Sequence, residues 1–427
     1  MPETLHPSPF PATPEAFWLR GALTLLTALV PLSLVIHSRL KIIPPALLFL
    51  LGLYLIATRR DVRRAYRLAW PVTAAAALSV LYAIANTLGH GLGASALGVA
   101  DHVLLYLAVA AVFVDGINWR WLWIGFSLTA IGLGVFCIVQ HFGYGVARAY
   151  STNGGASTSI EFATVMLGLA VTALVQLLRA QPGKPLALLH GAAVALGIYG
   201  ALLTQSRGPL LAFIPVFLGL LVLKGCTSRH WRWCLGALAI FVIGGAVAVA
   251  SMHGATLKRF AVISQQVTEA DAGQVDTSVG ARLEMWRTAT RAFVEHPLAG
   301  LGIDRFQAYV HAEIAAGRSD PSIAHYNNPH DMYLGAAAAG GVPGLLVLLI
   351  WFIAPLIYFA RHVRAHDARV ATAAWSGLAI GVLYMLCAVT DSVFYRVMSQ
   401  SFYCLLILGL ALAVAHARQT RHAGHVG

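Results

Sequence analysis

Arg282 lies in a stretch, residues 278–296, whose helical spacing offers it no carboxylate partner. At about 100° per residue, Arg282 shares the apolar face of the predicted helix with Trp286, while Glu284 and Arg287 fall on the opposite face. A guanidinium held against apolar packing needs an anion, and phosphate matches its planar array of N–H donors. The alternative is that Arg282 extends along the helix to reach water. The spacing leaves both interpretations open.

Arg207 is a second candidate for binding an anion. It lies in the helix-breaking sequence 205–209, Gln-Ser-Arg-Gly-Pro, between two apolar runs. Irregular backbone at membrane depth is tolerated where it lines a protein cavity, and ionisable residues there are functional candidates. An anchor to lipid headgroups is the alternative for this side chain.

His330 follows Asn328 and Pro329, a pair that predicts a helix start with Asn as the N-cap and Pro at the first helical position. The partial positive charge of a helix N-terminus favours the neutral imidazole that a general base requires. A structural histidine is the first alternative. A metal site at His325 and His330 beside Asp331 is a weaker one, because the spacing is not standard and no third ligand is evident.

Asp391 lies in the sequence Val-Thr-Asp-Ser, between the last two apolar runs of the chain. Its carboxylate has three possible roles: it caps the next segment, pairs with Arg396, or orients a catalytic partner. The sequence alone does not separate these roles.

The loop 148–159 is rich in Ser, Thr, Asn and Gly, residue types that can follow the hydroxyl groups of a sugar. Arg148 and Asn153 are therefore candidate glycan contacts, and an ordinary loop is the alternative. Thr158 and Glu161 match a capping box at the start of the next apolar run, so we interpret Glu161 as structural.

The composition predicts the elements that must position these residues. The chain has 427 residues, of which 58% are hydrophobic and 11% are charged. Soluble proteins carry about 25% charged residues, and a membrane-spanning helix needs about 20 apolar residues. We therefore predict an all-α polytopic membrane protein of about twelve transmembrane helices. The predicted spans are 18–36, 42–57, 68–87, 102–115, 121–140, 159–178, 186–203, 209–223, 234–252, 331–360, 370–389 and 400–416.

The distribution of Lys and Arg predicts the orientation of these spans. The connections on the side of the amino terminus and the tail hold 16 Lys and Arg, and the short connections on the other face hold 5. By the positive-inside rule both termini are cytoplasmic and the long segment 253–332 is external. The formal net charge of +12 therefore indicates topology rather than nucleic-acid binding. No cleavable signal peptide is predicted, because the first apolar run lacks a basic region before it.

The predicted organisation is one integrated membrane domain. Residues 1–252 hold the first nine spans, residues 253–332 form the external loop with part of the site, and residues 333–427 hold the last three spans and the tail. Within the loop we predict helices over 278–296 and 305–317. Gly300 and Gly302 between them favour a tight turn, since a lone Gly-x-Gly is weak support for phosphate binding.

Two arginines, a histidine and an aspartate thus fall at the external boundary of one helix bundle. No P-loop is present in the sequence, so nothing indicates the use of nucleotide energy. A reaction there requires a substrate that carries its own activation. A lipid-linked diphosphate sugar does so, because the diphosphate is a good leaving group whose charge arginines can neutralise.

The chain resembles the bacterial O-antigen ligase family, which is related to the O-antigen polymerases. The sequences that carry the resemblance are SRGPLLAF around Arg207, GARLEMWRTATRAFVEHPLAGLG around Arg282 and NNPHDMYLGAAAAGGVPG around His330. The resemblance implies twelve spans with one large periplasmic helical loop in the bacterial inner membrane. It also implies transfer of O-antigen glycan from undecaprenyl diphosphate, the donor, to lipid A-core, the acceptor, without a cofactor or metal.

The family's functional residues match individual positions of this sequence. Its essential arginines match Arg207 and Arg282, which hold the diphosphate, its histidine matches His330, the base of an inverting displacement, and its late aspartate matches Asp391. The sequence departs from the family where Asp331 stands in place of the usual Asn, and a carboxylate beside the histidine would favour the protonated ring. The candidate glycan or lipid contacts are Arg148, Asn153, Trp286, Tyr326 and Asn328.

Two other functions remain as alternatives. An O-antigen polymerase uses the same donor, but polymerases tend to carry two sizeable external loops, and this chain has one. A secondary transporter could also have twelve spans, but the sequence has no paired repeats and no ionisable residues near the middle of its spans.

Overall fold

The computed structural model describes residues 14–36, 41–114, 116–151, 159–180, 182–228, 231–251 and 278–424, and these residues form helices and connections without a strand. The α-helices are α1 (Pro14–Ile36), α2 (Ile43–Thr58), α3 (Arg60–Leu68), α4 (Trp70–Gly89), α5 (Gly98–Val109), α6 (Trp119–Ile138), α7 (Ser159–Val175), α8 (Lys184–Leu203), α9 (Arg207–Ser228), α10 (Trp231–Ser251), α11 (Ser278–Glu295), α12 (Phe306–Ala315), α13 (Met332–Ala360), α14 (Ala368–Cys387) and α15 (Val397–Gly424).

The predicted all-α membrane architecture is confirmed. In the described part of the chain, ten helical segments are long and apolar enough to cross a membrane, and the bent pair of α2 and α3 adds an eleventh if it counts as one span. Helix α10 lies where the ninth span is predicted, so the count of twelve stays a prediction. Helices α7 and α15 are the most enclosed of the ten.

Helix α3 was not predicted as a separate element. It makes an angle of 98° with α2, and its Val62 and Ala65 are buried while Arg64 and Arg67 are exposed. The strong separation of apolar and basic residues explains why this short segment forms a helix of its own, because such a helix is stable lying in a membrane–water interface.

Helix α13 is broken at Gly340 and Gly341. Gly341 has a φ of 61°, a conformation that favours glycine, and a Cβ there would lie 2.3 Å from the carbonyl oxygen of Pro297. The N–H of Val342 that the break frees donates to that same carbonyl at 2.7 Å. The tenth span predicted over 331–360 corresponds to α13; the break within it was not predicted, because it depends on the docking of the chain before α12.

The turn at Gly300 and Gly302 makes this docking contact. Both glycines have positive φ, and the N–H groups of Leu301 and Gly302 donate to the carbonyls of Ala338 and Ala339 at 2.8 and 2.9 Å. These donors are occupied by α13, so the interpretation as a tight turn is confirmed. The contact fixes the segment that follows α11 against the helix that follows His330.

The segment between α11 and α13 has a small hydrophobic core of its own. Buried side chains of α11, including Met285 and Ala289, pack against Val310 of α12, against Ile323 and against Ala338 of α13. The two helices predicted in this segment, 278–296 and 305–317, are confirmed within two residues at each end. The remainder of the predicted external loop, 253–277, lies outside the described residues.

An ion-pair network lies at the edge of this small core and joins α11 to α12. Glu313 is almost fully buried, and it accepts hydrogen bonds from Arg291 at 2.5 Å and from Arg318. The guanidinium of Arg318 lowers the pKa of Glu313, and Arg291 adds to this effect. Arg291 therefore pairs with α12 rather than with Glu295 on its own helix, whose carboxylate accepts from Tyr309 at 2.6 Å.

Candidate active site

The imidazole of His330 lies against the carboxylate of Asp391, with Nδ1 and Oδ1 separated by 3.1 Å. The exposed fractions of the two side chains are 19% and 9%, so a substrate can reach the histidine while the aspartate is nearly enclosed. Of the three roles open for Asp391, the geometry supports orientation of a partner. Arg396 instead pairs with the buried Glu161 at 3.3 Å, an ion pair between α7 and the start of α15.

The pairing has a direct chemical consequence for the imidazole ring. A carboxylate oxygen accepts hydrogen bonds, so Nδ1 carries the proton in this contact, and in the neutral ring Nε2 has the lone pair. This is the tautomer in which Nε2 of His330 can remove a proton from a hydroxyl group. Tyr326 lies beside the ring, edge to face, with 5.6 Å between the two centroids.

The predicted helix start at Asn328 and Pro329 is wrong. The N-cap of α13 is Asp331, whose side chain accepts a hydrogen bond from the N–H of Leu334 at 2.8 Å. His330 precedes the helix and has a φ of 51°, a left-handed conformation that is uncommon for residues with a side chain. Asp331 therefore serves the helix, and the carboxylate that contacts the histidine belongs to Asp391.

Asn328 holds this strained turn in place. Its Oδ1 accepts from the N–H of His330 at 3.1 Å and from the hydroxyl of Ser392 at 2.9 Å, and the side chain is buried. The bond to Ser392 links the turn to the segment that carries Asp391. Asn328, predicted as a glycan or lipid contact, thus has its carbonyl oxygen occupied within the protein. Ser392 was missed, because nothing in the local sequence pairs it with a residue 64 positions away.

Trp286 supports the same turn from the other side. Its indole N–H donates to the carbonyl of Pro329 at 3.0 Å, which places one face of α11 directly over the residues before His330. Arg282 lies one helical turn before Trp286 and is half-buried. Within the ranges that the structure describes, Arg282 makes no hydrogen bond or ion pair with another side chain. It is therefore available to an anion, as its position on the apolar face predicts.

Arg207 is brought to this region by the packing of α9 on α14. The residue is the first of α9, and a Cβ at the following Gly208 would lie 2.1 Å from the hydroxyl oxygen of Thr390. Such close approach requires glycine and sets the start of α9 beside the residue that precedes Asp391. Arg148 lies next to the same turn, because its Nε donates to the carbonyl of Thr204 at 3.1 Å. Asn153 lies outside the described residues.

A cleft of about 1060 Å³ opens next to the histidine turn. Apolar side chains of α4, α5, α13 and the segment before α12 line the cleft, and Asn328, Ser392 and Tyr395 stand at its polar edge. Burial raises the pKa of Tyr395 to about 12, so its hydroxyl stays protonated at neutral pH. A cleft with an apolar wall and a polar edge suits a molecule with a lipid part and a polar part.

No group of three His, Cys, Asp or Glu side chains suited to a metal ion occurs in the part of the chain that the structure describes. The ring of His325 stacks on Tyr326, with 3.9 Å between the centroids, rather than joining His330 and Asp331. The arrangement that the structure does bring together is an oriented imidazole, a nearby arginine helix start and a cleft with an apolar wall.

Residues 192–349 match the family described as O-antigen ligase. The match includes Arg207, Arg282 and His330 and ends before Asp391. An uncharacterized protein of Haemophilus influenzae is 25% identical over 176 residues, which are 41% of this chain and 44% of that protein. The match with this relative therefore covers less than half of either chain. The family match confirms the resemblance of this chain to the O-antigen ligase family over these residues.

Proposed function

We propose that this chain, which matches the O-antigen ligase family over residues 192–349, transfers O-antigen glycan from undecaprenyl diphosphate to lipid A-core. The reaction takes place at the periplasmic face of the bacterial inner membrane. The observation that carries the proposal is the contact between His330 and Asp391 beside a cleft with an apolar wall, in a chain with the family's arginines. The acceptor class and the orientation come from the resemblance and from the distribution of Lys and Arg.

The proposed mechanism is one displacement at the anomeric carbon of the donor. Nε2 of His330 takes the proton from an acceptor hydroxyl as the oxygen forms its bond to that carbon. The bond from the carbon to the diphosphate oxygen breaks, and its electron pair leaves with undecaprenyl diphosphate. Arg207 and Arg282 neutralise the charge that develops on the leaving group. Attack opposite the leaving group inverts the configuration of the sugar.

Each part of the mechanism has a residue that supports it in the structure. Asp391 orients the imidazole, and Asn328 and Trp286 hold the backbone turn on which it stands. The cleft next to that turn is the proposed place for the lipid part of a substrate. The reaction as written balances without a cofactor, a metal or a nucleotide, because the donor supplies its own leaving group.

Reconstitution of the purified protein tests this function directly. We expect protein in lipid nanodiscs, given lipid-linked O-antigen and lipid A-core with a chelator and no nucleotide, to produce lipid A-core that bears glycan. Lengthening of the lipid-linked glycan in the absence of lipid A-core would identify a polymerase instead. Movement of the lipid-linked glycan across proteoliposomes, without a new glycosidic bond, would identify a transporter.

Deletion of the gene separates ligase from polymerase in cells. We expect bare lipid A-core together with accumulated lipid-linked polymer, because the glycan is made but has no route to its acceptor. Gel electrophoresis of the lipopolysaccharide and extraction of the lipid-linked pool measure the two products. Core that bears a single repeat unit would show that the chain is a polymerase.

Replacing Asp391 with asparagine is expected to lower kcat. The upper limit of the effect is the loss of about 10²- to 10⁴-fold that removal of a positioned general base causes. An amide NH₂ can donate to Nδ1 of His330 and so favour the tautomer whose Nε2 carries the proton. The KM for the donor should change little, since Asp391 is not proposed to touch it. Steady-state kinetics in nanodiscs measures both constants.

Asp101→Asn is the matched control for this variant. Asp101 contacts Nδ1 of His102 at 2.7 Å in an exposed pair on α5. The control therefore also removes a carboxylate from a histidine, but from one outside the site. Wild-type kcat is expected for Asp101→Asn. Equal activity of Asp391→Asn and wild type would exclude the orienting role of Asp391.

A further inference from the structure

A second pocket, of about 860 Å³, lies at the opposite end of the helix bundle from His330. Its residues come from the connection after α7, from the last turns of α9 and from the connection between α13 and α14. Helix α14 begins at this connection and runs for 20 residues toward the segment that carries Asp391, so about 30 Å separates its two ends. The pocket therefore belongs to neither the histidine turn nor its cleft.

Basic side chains from all three connections line the pocket. They are Arg179, Lys224, Arg364 and His366, and no carboxylate lies among the lining residues that the structure describes. Within that described part, Arg179 and Arg364 form no ion pair or hydrogen bond. The neighbouring carboxylate, Asp367, accepts hydrogen bonds from the first N–H groups of α14. Arg179 and Arg364 thus face one concave space with no carboxylate among its described lining residues.

The positions of these cations are not explained by topology alone. The positive-inside rule requires Lys and Arg in the connections of one face, but it does not require that three connections place them around a single cavity. Like charges that surround a shared space repel one another, and the repulsion is relieved when an anion occupies that space. Guanidinium groups in particular match the oxygens of a phosphate.

We propose that this pocket binds a phosphate group, and that the phosphate belongs to the headgroup of an anionic phospholipid. Basic pockets between membrane helices on the cytoplasmic side are suited to such headgroups. The carboxyl-terminal end of α9, near Thr227, carries partial negative charge and therefore does not attract an anion. Binding must therefore come from the basic side chains, so removal of two arginines should have a large effect.

Native mass spectrometry of the purified protein in a mild detergent tests the proposal. We expect phosphatidylglycerol or cardiolipin to bind in preference to phosphatidylethanolamine, which has no net charge. The double variant Arg179→Gln with Arg364→Gln is expected to bind the anionic lipids at least about ten-fold more weakly, since a basic residue near an anionic lipid contributes about five-fold.

The matched control removes the same charge from another basic surface. Arg64 and Arg67 are exposed on α3, outside the pocket, so Arg64→Gln with Arg67→Gln should leave the preferred lipid adducts unchanged. An equal loss in both double variants would overturn the pocket as the site, because it would show only an effect of total charge. Unchanged binding in the pocket variant would overturn it as well.

Inorganic phosphate distinguishes a lipid headgroup from a soluble ligand. If millimolar phosphate displaces the lipid from wild-type protein but not from the pocket variant, the two ligands share the pocket and the phosphate chemistry is supported. Binding of phosphate without any preference for anionic lipid would support the phosphate site and reject the lipid as its source. A thermal unfolding scan shows whether each variant is folded. If the double variant loses binding because it does not fold, the single variant Arg364→Lys, which keeps the charge, must still form adducts with the anionic lipids.

Discussion

A His330→Ala variant is expected to leave lipid A-core without O-antigen when it is produced in a strain that lacks its own ligase. With Nδ1 of the imidazole against Asp391, its Nε2 lies on the opposite side of the ring and can accept a proton. A positioned general base contributes about 10²- to 10⁴-fold to a rate, so the variant should fall below what a lipopolysaccharide gel detects. The gel, run beside a blot of membrane-inserted protein, measures the effect.

His102→Ala is the control for this experiment, because it removes a histidine that also contacts an aspartate but lies on α5. That variant should give the ladder of the wild type. The proposed base would be excluded by a wild-type ladder from His330→Ala at an equal protein level. Accumulation of lipid-linked polymer in the His330→Ala strain would show in addition that the donor is still made and that only its transfer has stopped.

The membrane helices could be predicted from the sequence because the signal is local. A run of about 20 apolar residues is sufficient to define a span, whatever the rest of the chain does. The predicted spans 121–140 and 186–203, for example, correspond to α6 and α8 with ends shifted by a few residues. The helices after 278 were predictable for the same reason, since their apolar spacing is contained in one segment.

Features that depend on distant residues were not predictable in this way. The break at Gly341 exists because the chain around Pro297 docks there, 44 positions earlier. The sequence Asn-Pro-His looked like a helix start, yet the helix begins after it. Its asparagine accepts a hydrogen bond from Ser392, 64 positions later in the chain. A local rule for helix ends has no access to either partner.

The candidate site has features that local sequence could predict and features that it could not. Its residue types were identified from sequence because an arginine on an apolar face and an aspartate at a membrane boundary are unusual in themselves. The pairing was not identified: Asp391 had three possible roles, and the carboxylate expected to affect the histidine was the adjacent Asp331. In the fold Asp331 caps α13, and the histidine turns back in a left-handed conformation toward Asp391. Adjacency in the chain therefore predicted the wrong carboxylate.

The positions of the arginines matter more than their number in this protein. On α11, Arg291 forms an ion pair with Glu313, and Arg287 lies 3.9 Å from Glu284 on the same helix. Arg282 differs from both, since no carboxylate approaches it within the described residues and Trp286 beside it is fixed to the histidine turn. Three arginines on one helix thus have different surroundings, and among the described residues Arg282 is the one without a carboxylate partner.

Arg282→Lys is accordingly expected to lower kcat by about 10²- to 10³-fold, the loss that follows removal of one donor aimed at a developing charge. Lysine keeps the positive charge but presents a single ammonium group in place of the planar pair of N–H donors, so it cannot hold two diphosphate oxygens at once. The effect should appear in kcat more than in the KM for the donor, because the charge on the leaving oxygen grows as its bond breaks. Kinetics with the reconstituted protein measures both constants.

The control for this variant is Arg287→Lys, which makes the same exchange five residues along on the exposed side of α11 and should keep wild-type activity. The comparison tests geometry against charge, since both variants keep the net charge of the protein. Full activity in Arg282→Lys would mean that a point charge is sufficient there. Partial loss in both variants would indicate damage to α11 and not to the diphosphate contact. Loss confined to Arg282→Lys leaves the shape of the guanidinium as the cause, which is the property that separates a phosphate-binding arginine from one that only reaches water.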